Sequence, residues 1–173
     1  MAASCVAETS GAASSAIVSE EEQMLAIQKE QFRDQVFDLQ QAVDCAVRDG
    51  VLARDESECF HQHSVGLYSR TLFMPAGSFI VGKIHKFAHQ NIISRGRIRV
   101  QTESGYTVYD ATHSPVFFIS EPETKRVVFA ETHTVWTTLH PTGLDYIEDD
   151  LSVLEKMFIA ENYEQLKISE GAH

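Results

Sequence analysis

What this sequence lacks narrows it first. Cysteine is scarce: among 173 residues there are three, Cys5, Cys45 and Cys59. The number is odd and the spacing is not that of a metal-ligand set, so no disulfide framework is encoded. A reducing, intracellular setting is the simplest expectation. Basic residues are few as well. Fourteen Lys and Arg stand against 25 Asp and Glu, for a net charge of −11. This balance argues against a nucleic-acid partner, because phosphate contacts need a basic surface. An acidic surface favours solubility and basic partners. No apolar run approaches the roughly 18 residues that a membrane span needs, so no membrane partner is expected. The stretch MAASCVAETSGAASSAIVSEEE has no basic n-region and no dense apolar core, so secretion by a signal peptide is not expected. No internal repeat of fixed period is present.

What is there reads as one domain with tails, long enough to bury a core. Residues 1–19 are rich in Ala and Ser and have little to bury, so a flexible N-terminal arm is expected, or one ordered only on a partner. Residues 20–50 read as an amphipathic helix. Leu25, Phe32, Val36, Leu39 and Val43 recur at spacings of three, four and seven, the period of one helical face. Ser19 with Glu22 makes a capping box, and Gly50 ends the helix. Such a helix covers the strand-rich region or latches onto a neighbouring subunit.

Residues 51–142 change to short β-type runs: VGLYSRTLFM, SFIVGKI, NIIS, GRIRVQT, YTVYDA, PVFFIS, RVVFAE and TVWTTLH. Turn residues separate them, and many short strands at this spacing predict an all-β sandwich, barrel or jelly roll. In GRIRVQT, alternation turns Ile98 and Val100 inward and Arg97 and Arg99 outward. Residues 143–173 return to a helical segment. From Gly143 to Leu166 its apolar stripe is Leu144, Ile147, Leu151, Leu154, Met157 and Phe158. Asp145, Glu148, Asp149 and Asp150 crowd the first turns, where the helix dipole favours them.

His85 and His89 stand four residues apart in GSFIVGKIHKFAHQNIISRGRIRV. On a helix they would share a face, as in zinc helices. Phe79, Ile80, Val81 and Ile84 are strand formers, however, and Gly82 is a poor helix residue. On a straight strand four residues span about 13 Å, too far to share a metal. The two can converge only if the chain bends near Lys86-Phe87-Ala88 and the second strand returns alongside the first.

The same stretch carries a family resemblance. It reads Gly77-x5-Lys83-x-His85-x3-His89-x6-Gly96, with Pro75 just before, and so resembles the first motif of the cupins, G-x5-H-x-H-x3-E-x6-G. Every gap matches. Lys83 stands where the first histidine would be, His85 matches the second, and His89 replaces the glutamate. The nearest counterpart of the second motif, P-x-G-x2-H-x3-N, is Glu121-Pro122-Glu123-Thr124-Lys125-Arg126, in which Arg126 stands for the histidine. An arginine cannot ligate a metal, and Lys83 could do so only if neutral. The resemblance covers about residues 65–140. It implies an all-β core, a cupin-like jelly-roll barrel with an N-terminal and a C-terminal helix. The order of segments is also similar to small cupin-like proteins of tailed bacteriophages, a resemblance that implies no enzymatic activity.

Three accounts of the site follow. In the first, His85 and His89 bind one divalent metal per chain, zinc, iron or manganese, with His133 or His140 as a further ligand. In the second, Lys83 and Arg126, with protonated His85 or His89, bind an anion. In the third, Lys83 and Arg126 pair with acidic neighbours and the histidines are satisfied by hydrogen bonds. Glu58-Cys59-Phe60-His61-Gln62-His63 offers a lesser metal candidate, read as a loop over the barrel. Cys59 has no evident activating partner. Trp136 is expected in the core or at a subunit interface, and Glu121, Glu123 and Glu131 on a solvated rim.

The expected function is a non-enzymatic structural or interaction protein, a bacteriophage virion component such as a head-decoration or tail- or connector-associated protein. It would assemble through its barrel and N-terminal arm with itself and with other virion proteins, in the virion or the host cytoplasm. The alternative is a metal-dependent cupin enzyme acting on a small metabolite or nucleotide sugar, against which the altered ligand set counts.

Overall fold

A strand of 14 residues, His89–Thr102, organises the chain. The computed structural model describes residues 19–53 and 57–166. In chain order the elements are α1 (Glu20–Arg48), β1 (Glu58–Ser64), β2 (Leu67–Met74), β3 (Phe79–Val81), β4 (Ile84–His85), β5 (His89–Thr102), β6 (Gly105–Ala111), β7 (Val116–Ser120), β8 (Val127–Ala130), β9 (Thr134–Pro141), α2 (Leu151–Phe158) and β10 (Ile159–Ala160). The first half of β5 pairs with β7 and β9, and its second half, from Gly96, with β6 and β8. All of these pairings are antiparallel. The long strand therefore belongs to two walls, β1-β2-β9-β5 with β7, and β3-β8-β5 with β6.

The change of wall is built into the backbone. The β5–β9 register shifts between Ile93 and Arg95, and Gly96 follows with φ of 97°. A bulge next to a left-handed glycine bends a strand sharply enough to turn the corner of a barrel. The curled antiparallel sheet is the jelly-roll type of β fold that the sequence predicts, with a helix on each side of it.

The core lies between the walls. Met74, Ile93, Ile98, Val100, Ala111, Val128, Ala130 and Trp136 form one buried cluster. Ile98 and Val100 face in as the alternation predicts. Arg97 and Arg99 face out, both ion-paired to Glu131, and Arg97 also to Asp110. Full burial of a side chain such as Ile98 contributes about 1.5–3 kcal/mol.

The capping box forms at the start of α1. The Glu22 backbone N–H donates to Ser19 Oγ at 3.2 Å, and the Ser19 N–H donates to the Glu22 carboxylate at 2.8 Å. Only the middle of α1 docks on the barrel. Val36 is buried, Arg33 ion-pairs with Glu103 at 2.9 Å, and Phe37 meets the ring of Tyr163 edge-on. Earlier in the helix, Met24, Leu25 and Ile27 are all more than half exposed. The expected arm, 1–19, lies outside the described residues except for Ser19. Among the described residues no helix is long and apolar enough to cross a membrane.

Two expectations are corrected. The helix predicted from Gly143 to Leu166 is broken: α2 covers Leu151–Phe158, and helical backbone resumes only at residues 164–166. Asp150 is its N-cap, accepting from the Ser152 N–H at 2.8 Å, so Asp145, Glu148 and Asp149 precede the helix instead of filling its first turns. Short acidic side chains favour such caps and turns over helix interiors. After Phe158 the chain becomes extended and pairs with β4. The segment Glu58 to His63, read as a loop, is the edge strand β1, paired along its whole length with β2. Its polar composition suits an exposed sheet edge.

Of the described glycines, Gly96 has the least room for a side chain. A Cβ there would lie 2.4 Å from Thr134 Oγ1 and 2.5 Å from the His133 carbonyl oxygen. Gly96→Ala is expected to cost at least about 2 kcal/mol, from backbone strain and overpacking together. Urea unfolding measures this, and an unchanged midpoint would mean that the corner can relax.

Candidate metal centre

Three histidines meet inside the barrel because three different strands end there. His85 sits on β4, which is held from outside. It pairs with Ile159 of β10, and its carbonyl accepts from the Glu123 N–H at 2.7 Å, while the Lys86 N–H donates to the Phe158 carbonyl at 2.8 Å. The chain then bends through residues 86–88, as the spacing requires, and β5 begins at His89. It does not return alongside β4, whose partner is β10. On β5 and β9, Gln90 stands opposite Leu139, which sets His89 opposite His140.

The ring centroids lie 4.1 Å apart for His85 and His89, 4.8 Å for His89 and His140, and 5.3 Å for His85 and His140. One donor nitrogen from each lies within 4.8 Å of the others. His133 does not join them. It is exposed on the turn before β9, and its carbonyl faces the corner at Gly96. Of the two later histidines named from the sequence, the structure brings only His140 to the pair.

The imidazoles are in the form a metal needs. Burial lowers the pKa of all three, to about 4 for His89 and about 3 for His140, and further for His85. Neighbouring positive groups add to the effect, Arg126 and Arg70 among them. All three are neutral at pH 7, with lone pairs free to coordinate. His89 Nδ1 lies 3.2 Å from the Phe87 carbonyl. That oxygen can only accept, so Nδ1 carries the proton and Nε2 the lone pair, the outer-shell arrangement that orients ligating histidines. His89 Nε2 and His85 Nδ1 are buried without a hydrogen-bond partner. Buried polar atoms seldom go unsatisfied. With bonds of about 2.1 Å, ligand nitrogens would stand closer than the present 4.8 Å limit, so ring rotations of about an ångström complete the set. The residues fit a metal.

A cavity of about 70 Å³ opens beside His85 and His89, walled by Leu72, Ile80, Val128 and Trp136. Arg126 reaches it from the strand register next to Gly82. The Arg126 side chain is 5% exposed and its Nη2 has no partner. Burial pulls it down to about 10, so it stays cationic at neutral pH. Lys83, at the same cavity, ion-pairs with Glu155 of α2. The pairing expected of both cations thus holds for Lys83 and, among the described residues, not for Arg126.

Sequence reasoning missed Asn91. It is fully buried, accepts from Trp136 Nε1–H at 2.9 Å, and donates to Ser120 Oγ at 2.8 Å and to the His89 carbonyl at 3.2 Å. It ties the tryptophan to the backbone of a candidate ligand. The available signal was its place two residues after His89, on the same inward face. Trp136 is in the core, as expected. His61 Nδ1 bonds the Tyr68 hydroxyl at 2.7 Å and His63 Nδ1 lies 2.9 Å from the Glu148 carbonyl; neither joins the cluster, and Cys59 is exposed. Glu121 is exposed and Glu123 partly so, while Glu131 is taken by arginines.

The sequence matches no family model and no curated protein. Among solved structures, an acetylacetone dioxygenase from Acinetobacter johnsonii aligns at 17% identity and a TM-score of 0.43, over 51% of this chain and 61% of that one. A salicylate 1,2-dioxygenase from Pseudoaminobacter salicylatoxidans, as an adduct with gentisate, aligns at 12% identity and a TM-score of 0.44, over 63% and 31%. A cupin domain from Bordetella pertussis Tohama I aligns at 14% identity and a TM-score of 0.40, over 57% and 99%.

Two outcomes are expected of the metal-free protein. The folded histidines titrate below the unfolded value of about 6.5, so the unfolded chain binds protons first as pH falls. Stability therefore drops from pH 6.5 toward about 4 for His89 and about 3 for His140, by a few kcal/mol in all. Urea midpoints across that range measure the slope, and His140→Gln should flatten it. Asn91→Leu strands the Trp136 N–H and should cost about 1–3 kcal/mol; a neutral result would show that the network does not hold the site.

Proposed function

We propose that this is a metal-dependent barrel of the cupin type, with one divalent ion on His85, His89 and His140, acting as an enzyme on a small molecule. The observation that carries the reading is the pair of buried, unpartnered nitrogens, His85 Nδ1 and His89 Nε2, beside a third neutral imidazole. The two motifs alone supply two ligands, and on that count a scaffold was the better expectation. His140 comes from outside both motifs and completes a three-nitrogen set with open positions.

A zinc, iron or manganese ion held there would supply a Lewis acid. The chain's own residues do the rest. Phe87 and Asn91 hold His89 in place, and Leu72, Val128 and Trp136 give the cavity an apolar side. Phe158 packs its ring 4.7 Å from His140 and shields the set from outside. A small metabolite suits a cavity of about 70 Å³; a nucleotide sugar does not.

Metal content per chain, measured by plasma mass spectrometry on untagged protein purified without chelator, tests the reading. About one ion per chain is expected, lost in the His85→Ala/His89→Ala double variant and in His140→Ala, and retained in His133→Ala. No metal in the wild-type protein would overturn it.

A second reading keeps the barrel as a component of a bacteriophage particle that joins other copies or other virion proteins through its helix. It is favoured by Met24, Leu25 and Ile27, which are exposed on a helix docked only through its middle. Deleting residues 1–30 should lower the oligomer mass in light scattering and leave the melting temperature unchanged. The same mass would exclude the helix as a latch.

A further inference from the structure

The cavity beside the three histidines holds a cation with nothing to pair it. Arg126 is 5% exposed, makes no ion pair among the described residues, and leaves Nη2 buried without a partner. Arg70 and Lys83 also line this cavity, and no carboxylate does. The acid nearest in role, Glu155, is already committed to Lys83. The three imidazoles are neutral and bring no negative charge. A buried guanidinium left uncompensated is costly, so a fold keeps one where a ligand completes it.

The surroundings are shaped to hold the guanidinium in place. A Cβ at residue 82 would stand 3.0 Å from Arg126 Cγ, so Gly82 makes the room through which the side chain passes. Its far end lies over Trp136, 5.8 Å from the ring centroid, and faces the same space as His85 and His89. Leu72, Ile80 and Val128 make the apolar part of the wall, and Arg70, Lys83 and Thr138 line the rest.

We infer that Arg126 is the anchor for the carboxylate of a small organic acid, held with its apolar body along Leu72, Val128 and Trp136 and its other end toward the histidines. The inference deepens the metal-centred reading and rests on it for the orientation of that other end. A planar guanidinium takes a carboxylate through two parallel N–H donors. Phosphate is a poorer fit: it too can take two parallel N–H donors, but its remaining oxygens would face Leu72, Val128 and Trp136, where a carboxylate presents an apolar body.

Trp136 is the only tryptophan of the chain, so its fluorescence reports binding directly. The experiment titrates full-length protein, stripped of metal by chelator, with acetate, pyruvate, acetamide and inorganic phosphate. Acetate and pyruvate should change the fluorescence saturably, and acetamide and phosphate should not. Arg126→Met should weaken pyruvate binding at least ten-fold and raise the melting temperature of the ligand-free protein, because an unpaired buried charge is replaced by an apolar chain. Arg126→Lys keeps the charge without the fork and should also lose at least ten-fold. Equal binding of acetamide or phosphate, unchanged affinity in Arg126→Lys, or a lower melting temperature for a folded Arg126→Met would overturn the inference. Because the protein is metal-free, these results stand apart from the metal count. Zinc-loaded protein then tests the orientation, with pyruvate expected to bind more tightly than to the stripped protein and an equal affinity refuting it.

Discussion

The barrel depends on one strand serving two walls. β5 takes hydrogen-bonded neighbours on both edges along its length, and the neighbours change at Gly96. This change fixes which side chains meet. Before the corner, His89, Asn91 and Ile93 point inward toward β9; after it, Ile98 and Val100 point inward toward β8. A one-residue slip would turn the first set outward and expose the histidine. Core and site are thus set by the same register, and the tightness of the corner at Thr134 holds it.

Charge is distributed against the average of the chain. The molecule carries a net charge of −11, yet its inner cavity is lined by arginines, a lysine and neutral imidazoles. The acidic residues sit on the outside, where Glu131 and Asp110 bind the outward arginines of β5 and Glu103 binds α1. The surface repels anions at long range, and the interior favours them at short range. Screening at physiological salt acts over about 8 Å and weakens the first effect more than the second. If Arg126 anchors a carboxylate as proposed, its selection rests on the cavity and not on steering from solution.

Much of this was legible in the residues. The capping box, the alternation of Ile98 and Val100, and the bend between His85 and His89 follow from local patterns with few competing solutions. The cupin-like spacing puts Lys83, His85, His89 and Arg126 around one space, and all four line one cavity. What was not legible depends on pairing between distant segments. His140 and His133 look alike in sequence, and only the β5–β9 register separates them. Asn91 reads as an ordinary polar strand residue until Trp136 and Ser120 are beside it. The acidic run before Leu151 fits a helical first turn as well as a capped approach, and Asp150 decides between them through one side-chain bond. β1 is polar enough to pass for a loop, and its strand character comes entirely from β2.

The outer closure of the site is made by a late part of the chain, α2 and β10. β4, which carries His85, is paired by only two residues of β10. The Lys86 ammonium reaches the Lys156 carbonyl across 70 positions of sequence. The Glu123 N–H adds a further bond to the His85 carbonyl, so β4 is held from both sides. This outer layer is also seated, since Leu154, Phe158 and Ala160 are buried and Glu155 ion-pairs with Lys83 at the cavity. The cover of the centre is thus drawn from a different part of the chain than the walls, and its packing on Tyr68 and Ile84 ties the two together.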